Sequence, residues 1–434
     1  MDLNLTDFIL LKNPTVRSVV LGCTLITLTS SVVGCFTFLR KRALLGDAVA
    51  HSVLPGVCMA FILSGTKNPL IILLGAFITG WISIIAVDAI THKTKIKADA
   101  ATGLVLSVFF GAGIWLLTSI QHMGNADQTG LDSFIFGKAA SMVQEDVLVL
   151  GLTSVLVLTL IILLFKEFSL LCFDKNYAIV LGLPVKQLEF ILTSITVLSV
   201  IVGIQAVGVV LMAAMLITPA AAARFWSDNI LKMVLAASLF GAVSGIAGTF
   251  ISYVAPAMPT GPWIVVVISS IAILSFLFAP SKGLLNKYHN SRTNKTKIMD
   301  ENILKVLFQL GENDTLFHAV RSKNDISIKR NFNEKELSSG LHRLLNEGFV
   351  NKTQGGWKLT EKGKLYGAKV TRLHRLWEMY LTEYLHLAAD HVHDNAENIE
   401  HYITPEIERI LDEQLKYPKR DPHNRMIPGN PSDV

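Results

Sequence analysis

The chain is short of charge and of cysteine. Only 17% of its 434 residues are Asp, Glu, Lys or Arg, and four are Cys. Cys23, Cys35 and Cys58 lie within apolar runs and Cys172 in a short stretch between runs, none with a metal-type partner cysteine nearby. That spacing speaks against a disulfide framework and leaves the cysteines as small apolar filler. A G-x-x-x-x-G-K-[ST] loop is also missing, so the chain does not hydrolyse ATP through that motif and is not expected to be an enzyme. The opening MDLNLTDFILLKNP is acidic before Lys12 and lacks a positive leading region, so a cleaved secretory signal is not expected. What abounds is apolar. Hydrophobic residues make up 51% and the mean hydropathy is +0.47, too apolar for an ordinary soluble chain of this length.

Up to about Ala279 the apolar residues are blocked into runs of roughly the 20 residues that cross a bilayer. About nine spans are expected, near Val16–Leu39, Ala43–Leu63, Pro69–Ile90, Ala100–Ile120, Val147–Phe165, Leu188–Val207, Gly208–Phe225, Leu231–Ala255 and Pro262–Ala279. The seventh touches the sixth at Val207–Gly208 with no polar loop between them, so a re-entrant or broken helix there is the alternative. Arg40, Lys41, Arg42, Lys93, Lys95, Lys97, Lys166, Lys175, Lys186, Arg224 and Lys232 fall in or beside alternate loops, and Lys12, Arg17, Lys67 and Lys138 on the other side. The basic side is expected to be cytoplasmic, with the N-terminus outside and the C-terminal tail inside. The expected fold is thus an all-α polytopic membrane domain over 1–280. A linker (281–298), a soluble α+β winged helix-turn-helix (299–370) and a helical metal-binding and dimerisation domain (371–434) follow it.

From about Ser281 the chain turns polar. Ser281–Arg375 holds 19 Lys/Arg against 9 Asp/Glu, and Leu376–Val434 holds 5 against 12. A basic piece followed by an acidic one suggests an anion-binding module beside a cation-binding one. Lys282–Lys297 is poor in large apolar residues and reads as a linker. Glu301–Leu310 and Asn333–Phe349 carry helical apolar spacing, the second with Leu337, Leu341, Leu344 and Leu345 on one face. Phe349–Lys352 and Trp357–Thr360 flank Gln354-Gly355-Gly356, which suits a hairpin. Helix then hairpin, with positive charge throughout, is the pattern of a winged helix. Lys335, Ser338, Ser339, His342 and Arg343 lie on the exposed face that would meet DNA. A solvated helix in a protein–protein module fits the same pattern.

Two groups of residues carry candidate metal chemistry. Asp47 and His51 in GDAVAHSVLPG are one helical turn apart within an apolar run, where ionisable groups are costly and usually face a pathway or a partner. Carboxylate plus imidazole suits divalent Mn, Fe or Zn, and two copies of the chain about a two-fold axis would supply four such ligands. The bland alternative makes Asp47 a helix cap near Arg42 and His51 a satisfied core residue. In the tail, His374 and Glu378, and Glu397, Glu400 and His401, are sets one turn apart.

RKRALLGDAVAHSVLPGVCMAF resembles the signature of the membrane subunit of zinc/manganese/iron ABC importers. FDKNYAIVLGLPV and QAVGVVLMAAMLITPAAAARF resemble two more of that family's blocks. The resemblance implies a permease dimer in a bacterial inner membrane, working with a separate ATPase subunit and an extracytoplasmic metal-binding protein. It makes Asp47 and His51 the metal path and puts Ala178, Leu181 and Gly182 in the helix that docks on the ATPase. HRLWEMYLTEYL, VHDNAENIEHYITPEIERILDEQL and DPHNRMIPG are similar to the diphtheria-toxin-repressor family of metal-dependent DNA-binding repressors. Its ligand pattern falls on His374, Glu378 and His393 for one site and on Glu397, Glu400 and His401 for another. Glu397 is like the manganese-responsive branch. A further ligand, from the first helix, falls on Glu301 or Asn302. The joint expectation is a divalent-metal permease with a metal-responsive, DNA-binding tail. Two rivals are a tail that only gates transport from the cytosol and a membrane-tethered regulator that has lost transport.

Overall fold

The computed structural model describes residues 8, 10–42, 44–65, 69–122, 137–255, 258–312, 314, 317–387, 396–397 and 399–429. Lys67 and His393 lie outside the described residues. The chain divides into two compact units, Met1–Lys287 and Tyr288–Val434.

The first unit is helical. Its order is α1 (Pro14–Leu39), α2 (Leu45–Ser64), α3 (Pro69–Lys93), α4 (Ala98–His122), α5 (Gln144–Leu163), α6 (Phe165–Phe173), α7 (Lys175–Val180), α8 (Val185–Val207), α9 (Val209–Trp226), α10 (Ile230–Val254) and α11 (Thr260–Phe278). α1 starts where Asn13 accepts the Thr15 N–H at 3.0 Å and Pro14 fills the first helical position, whose N–H would be unpaired in any case. Eight of these helices are long and apolar enough to cross a bilayer, and α9, at 18 residues, completes the expected nine runs. The expected split at Val207–Gly208 is a backbone break. Gly208 takes φ 90°, ψ 163°, and α9 starts at the next residue.

Burial sorts the helices. α1, α2 and α8 are buried over 78%, 72% and 72% of their most apolar stretch, whereas α4, α5 and α11 are buried over only 22%. The first three therefore form the centre and the latter three turn Leu148, Leu152, Leu156 and similar side chains outward, as lipid-facing helices do. The core joins Phe36 of α1, Val49 and Val53 of α2, Ile201 and Ile204 of α8, and Met212 and Leu216 of α9. Small residues bring helices close. A Cβ on Gly75 of α3 would stand 2.5 Å from the Gly56 carbonyl oxygen of α2. Arg40 at the end of α1 and Lys175 of α7 share Glu189 of α8, each at 2.9 Å, and Arg42 pairs with Asp88 of α3 at 3.1 Å, so basic residues of alternate loops meet at one end.

The second unit begins in α12 (Leu284–Glu312) and continues through α13 (Lys323–Lys329), α14 (Glu334–Asn346), β1 (Val350–Thr353), β2 (Gly356–Leu359), α15 (Glu361–Glu383) and α16 (Pro405–Gln414). From Leu284 onward the stretch expected to be a linker is helical, as part of α12. β1 and β2 pair antiparallel with Val350 opposite Leu359, the expected hairpin. Ile303, Leu304 and Leu307 of α12, Ile326 of α13, Leu337, Leu341 and Leu344 of α14, and Trp357 form its core. α13 had no counterpart in the sequence reading.

Candidate metal sites and docking surfaces

In the first unit, α2 holds Asp47 in its first turn and His51 one turn on. His51 Nε2 lies 3.4 Å from Asp47 Oδ1. The His51 ring meets Phe110 of α4 edge-on, with centroids 5.1 Å apart at 89°. His51 Nδ1 is buried and has no hydrogen-bond partner among the described residues. A buried unpaired imidazole nitrogen calls for a reason, since such atoms are normally satisfied. The bland alternative does not describe the pair. No side chain caps α2, and Arg42 is engaged with Asp88.

Ala178 is buried in α7, a six-residue helix capped by Asp174, which accepts the Tyr177 N–H at 2.9 Å. Tyr177, Ile179, Val180 and Leu181 are exposed around it, Val180 by 81%. Gly182 closes the helix with φ 76°, a left-handed conformation that glycine adopts without strain.

In the second unit, α15 carries His374 and Glu378, both buried. His374 Nε2 lies 3.1 Å from Glu378 Oε1, and its Nδ1 is hydrogen-bonded to Glu400. Burial works against charging His374, but its bonds to Glu378 and Glu400 outweigh that and raise its pKa. Burial also works against the Glu400 carboxylate. Its bond to His374 and the charge of Lys305 prevail and hold its pKa below the usual range. Glu400 and His401 lie in a short 3-10 turn, Glu400–Tyr402. Glu301 of α12 receives His401 Nδ1 at 2.6 Å and the Tyr366 hydroxyl at 2.8 Å. These bonds overcome its burial and lower its pKa, while burial and the same Glu301 bond raise that of Tyr366. Asn302, the alternative first-helix ligand, accepts instead from Arg330 Nη1 at 2.9 Å. Glu397 is paired with the same Arg330 atom at 2.9 Å and stands 3.8 Å from Lys305 Nζ.

The expected ligands His374, Glu378, Glu397, Glu400, His401 and Glu301 are therefore brought together; His393 falls outside the described residues. Sequence reasoning missed Lys305, Arg330 and Tyr366. Lys305 had a signal, as a lone cation inside the apolar run ILKVLF, and its side chain is only 2% exposed. The donor types suit a divalent ion, and His401 Nε2, 3.4 Å from Glu400 Oε1, is buried without a hydrogen bond among the described residues. In this structure, however, Lys305 engages the Glu400 carboxylate and Arg330 that of Glu397. Among the described residues no three His, Cys, Asp or Glu side chains stand where they could hold a metal ion together.

On α14, Lys335, Ser339 and His342 are exposed, and Ser338 accepts from Lys323 Nζ at 3.1 Å. Arg343 is not free for a groove. Its Nε and Nη2 donate to Asp300 at 3.0 and 2.7 Å.

The pattern of the ABC 3 transport family matches residues 12–279, and that of the iron dependent repressor metal binding and dimerisation domain matches residues 360–429. The chain is 38% identical over 397 residues to the manganese transport system membrane protein MntC of Bacillus subtilis, a match covering 91% of this chain and 89% of that one. It is 41% identical to the zinc transport system membrane protein TroC of Treponema pallidum, over 67% of this chain and 97% of that one. Among solved structures, PsaBC from Streptococcus pneumoniae in complex with Fab is similar, with a TM-score of 0.58 and 30% identity. That match covers 66% of this chain and 99% of the other. With its helical first unit and with relatives matched over nearly their full length, the chain belongs to the ABC 3 transport family and is a multi-pass membrane permease joined to a repressor-like domain.

Proposed function

We propose that the chain is the transmembrane permease subunit of an ABC importer for a divalent transition metal (Mn, Fe or Zn), with Asp47 and His51 on the metal path. The observation that carries this is the one-face pair in central helix α2, with a buried His51 nitrogen left without a hydrogen-bond partner among the described residues. An imidazole and a carboxylate at that spacing offer a passing cation two ligands without the tight closure of a storage site. In this reading the permease pairs with a second permease subunit. α7, through Ala178, Leu181 and Gly182, docks on a separate ATPase subunit, and an extracytoplasmic metal-binding protein delivers the ion. Basic residues gathered at one end support a cytoplasmic tail and an outside N-terminus in the bacterial inner membrane. The test is metal uptake, by elemental analysis of cells supplied with the partner subunits. Asp47→Ala and His51→Ala should each lower uptake roughly tenfold or more with membrane insertion unchanged. Uptake at the wild-type rate in both would end the assignment.

For the tail we infer a metal-responsive DNA-binding module. α13, α14 and the β1–β2 hairpin make a winged helix-turn-helix that would present Lys335, Ser338, Ser339 and His342 to DNA. The ligand set around His374, Glu397 and Glu400 would read the metal. The competing reading, a tail that gates transport without DNA, is favoured by the engagement of Arg343 with Asp300. DNA affinity of the full-length protein, with and without Mn²⁺, separates the two.

A further inference from the structure

Lys305 lies in the middle of the tail's ligand set. Its Nζ donates to both oxygens of Glu400, at 2.8 and 2.9 Å, and stands 3.4 Å from His374 Nδ1 and 3.8 Å from Glu397 Oε1. The Glu400 side chain is fully buried. An ammonium nearly equidistant from two carboxylate oxygens lies on the side of the carboxylate where a chelated ion would sit, set back by the longer reach of an N–H···O bond. Arg330 sets a second cation against Glu397, through one oxygen at 2.9 Å. Among the described residues, protein cations thus stand against both carboxylates, and a bare divalent ion entering the pocket would meet like charge.

We infer that the Lys305 ammonium is a built-in cation occupying the position a divalent ion would take among Glu400, Glu397 and His374, so that metal binds there only by displacing it. This rests on the reading of the tail as a metal sensor and deepens it. The lysine acts as an intrinsic competitor that sets the response to abundant rather than scarce metal. That suits a sensor fused to an importer, which needs to respond after uptake has succeeded. The side chain can leave without unfolding α12, because a lysine stem is long and flexible and Lys305, Arg330 and Glu397 all line one open cavity of ≈320 Å³. Removing the ammonium leaves the buried Glu400 with His374 as its remaining described partner, a state that a divalent cation would relieve.

The experiment uses full-length protein in detergent, carrying Asp47→Ala and His51→Ala so that the pore pair contributes no metal. Mn²⁺ affinity is read by electron paramagnetic resonance. Lys305→Gln should tighten it roughly tenfold or more, and Lys305→Arg, which keeps a cation in place, should not. Hydrogen exchange over residues 300–312 monitors the fold. In chelator the Lys305→Gln variant should exchange faster there than wild type, and Mn²⁺ should restore protection. A second measurement needs no substitution at Lys305. Amine acylation should spare Lys305 in the metal-free protein and label it once Mn²⁺ saturates the tail. Unchanged or weaker Mn²⁺ affinity in Lys305→Gln, or Lys305 staying unlabelled in the saturated protein, would overturn the inference. If affinity tightens as expected but DNA affinity ignores Mn²⁺ in every variant, the displacement stands and the sensing reading falls.

Discussion

Arg372 shows how the second unit spends few residues on a large effect. Its guanidinium donates to both Asp412 oxygens at 2.7 and 2.6 Å, to Glu408 at 3.1 Å and to the Pro428 carbonyl at 2.7 Å. All three charged groups are buried, at 8%, 5% and 5% exposure. Arg372→Met leaves two buried carboxylates facing each other without a cation. It should destabilise this unit by about 3–5 kcal/mol, read from denaturant unfolding of the tail. A loss below about 1 kcal/mol would show the cluster to be solvated. Nothing in the sequence marks Arg372, because its partners lie 36 and 40 residues away. The contact between Asp47 and His51, by contrast, was legible because their spacing is local. Lys305 lay between these cases. Its place in an apolar run was visible, but that it would neutralise Glu400, 95 residues on, follows only from the fold.

At the scale of elements, the membrane helices were the most legible part of the chain. Length and apolarity identify a span without tertiary information, and even the Val207–Gly208 break was visible as two apolar runs that touch without a polar loop. The stretch from Leu284 to Lys297 was not legible, because a helix without an apolar stripe gives no periodic signal. α13 was missed for its shortness, although Ser322 and Asp325 form a reciprocal capping box that could have marked its start. The α7 corner carries a prediction of its own. A Cβ on Gly182 would meet nothing within 4 Å, so substitution is a matter of backbone strain alone. Gly182→Leu should cost roughly 1–2 kcal/mol locally and tilt the exposed Val180 and Leu181 away from the ATPase contact proposed for them, whereas Gly182→Asn should be tolerated. Reconstituted ATPase stimulation and transport check this. Equal activity in both variants would place docking elsewhere.

At the scale of the whole molecule, one chain joins a unit built for lipid to one built from opposed charges. The basic piece carries the helix–hairpin unit together with Glu301 and His374, and the acidic piece carries Glu378, Glu397, Glu400 and His401. Affinity that arises from Lys335 and its neighbours on phosphate should fall steeply with salt through counterion release. Full-length protein in nanodiscs, titrated against DNA by fluorescence anisotropy, should give a linear fall of log affinity with log salt. Lys335→Ala should lessen that slope by about one. Arg343→Ala should leave the slope alone, because its guanidinium is already paired with the Asp300 carboxylate. Its effect should appear as lost stability where α12 meets α14. The contrast between two cations on one helix tests the interface more sharply than affinity by itself. Equal slopes for both variants would mean that α14 does not face the phosphates. No binding even at low salt would leave the tail as a gate on transport, with its basic half serving contacts within the protein.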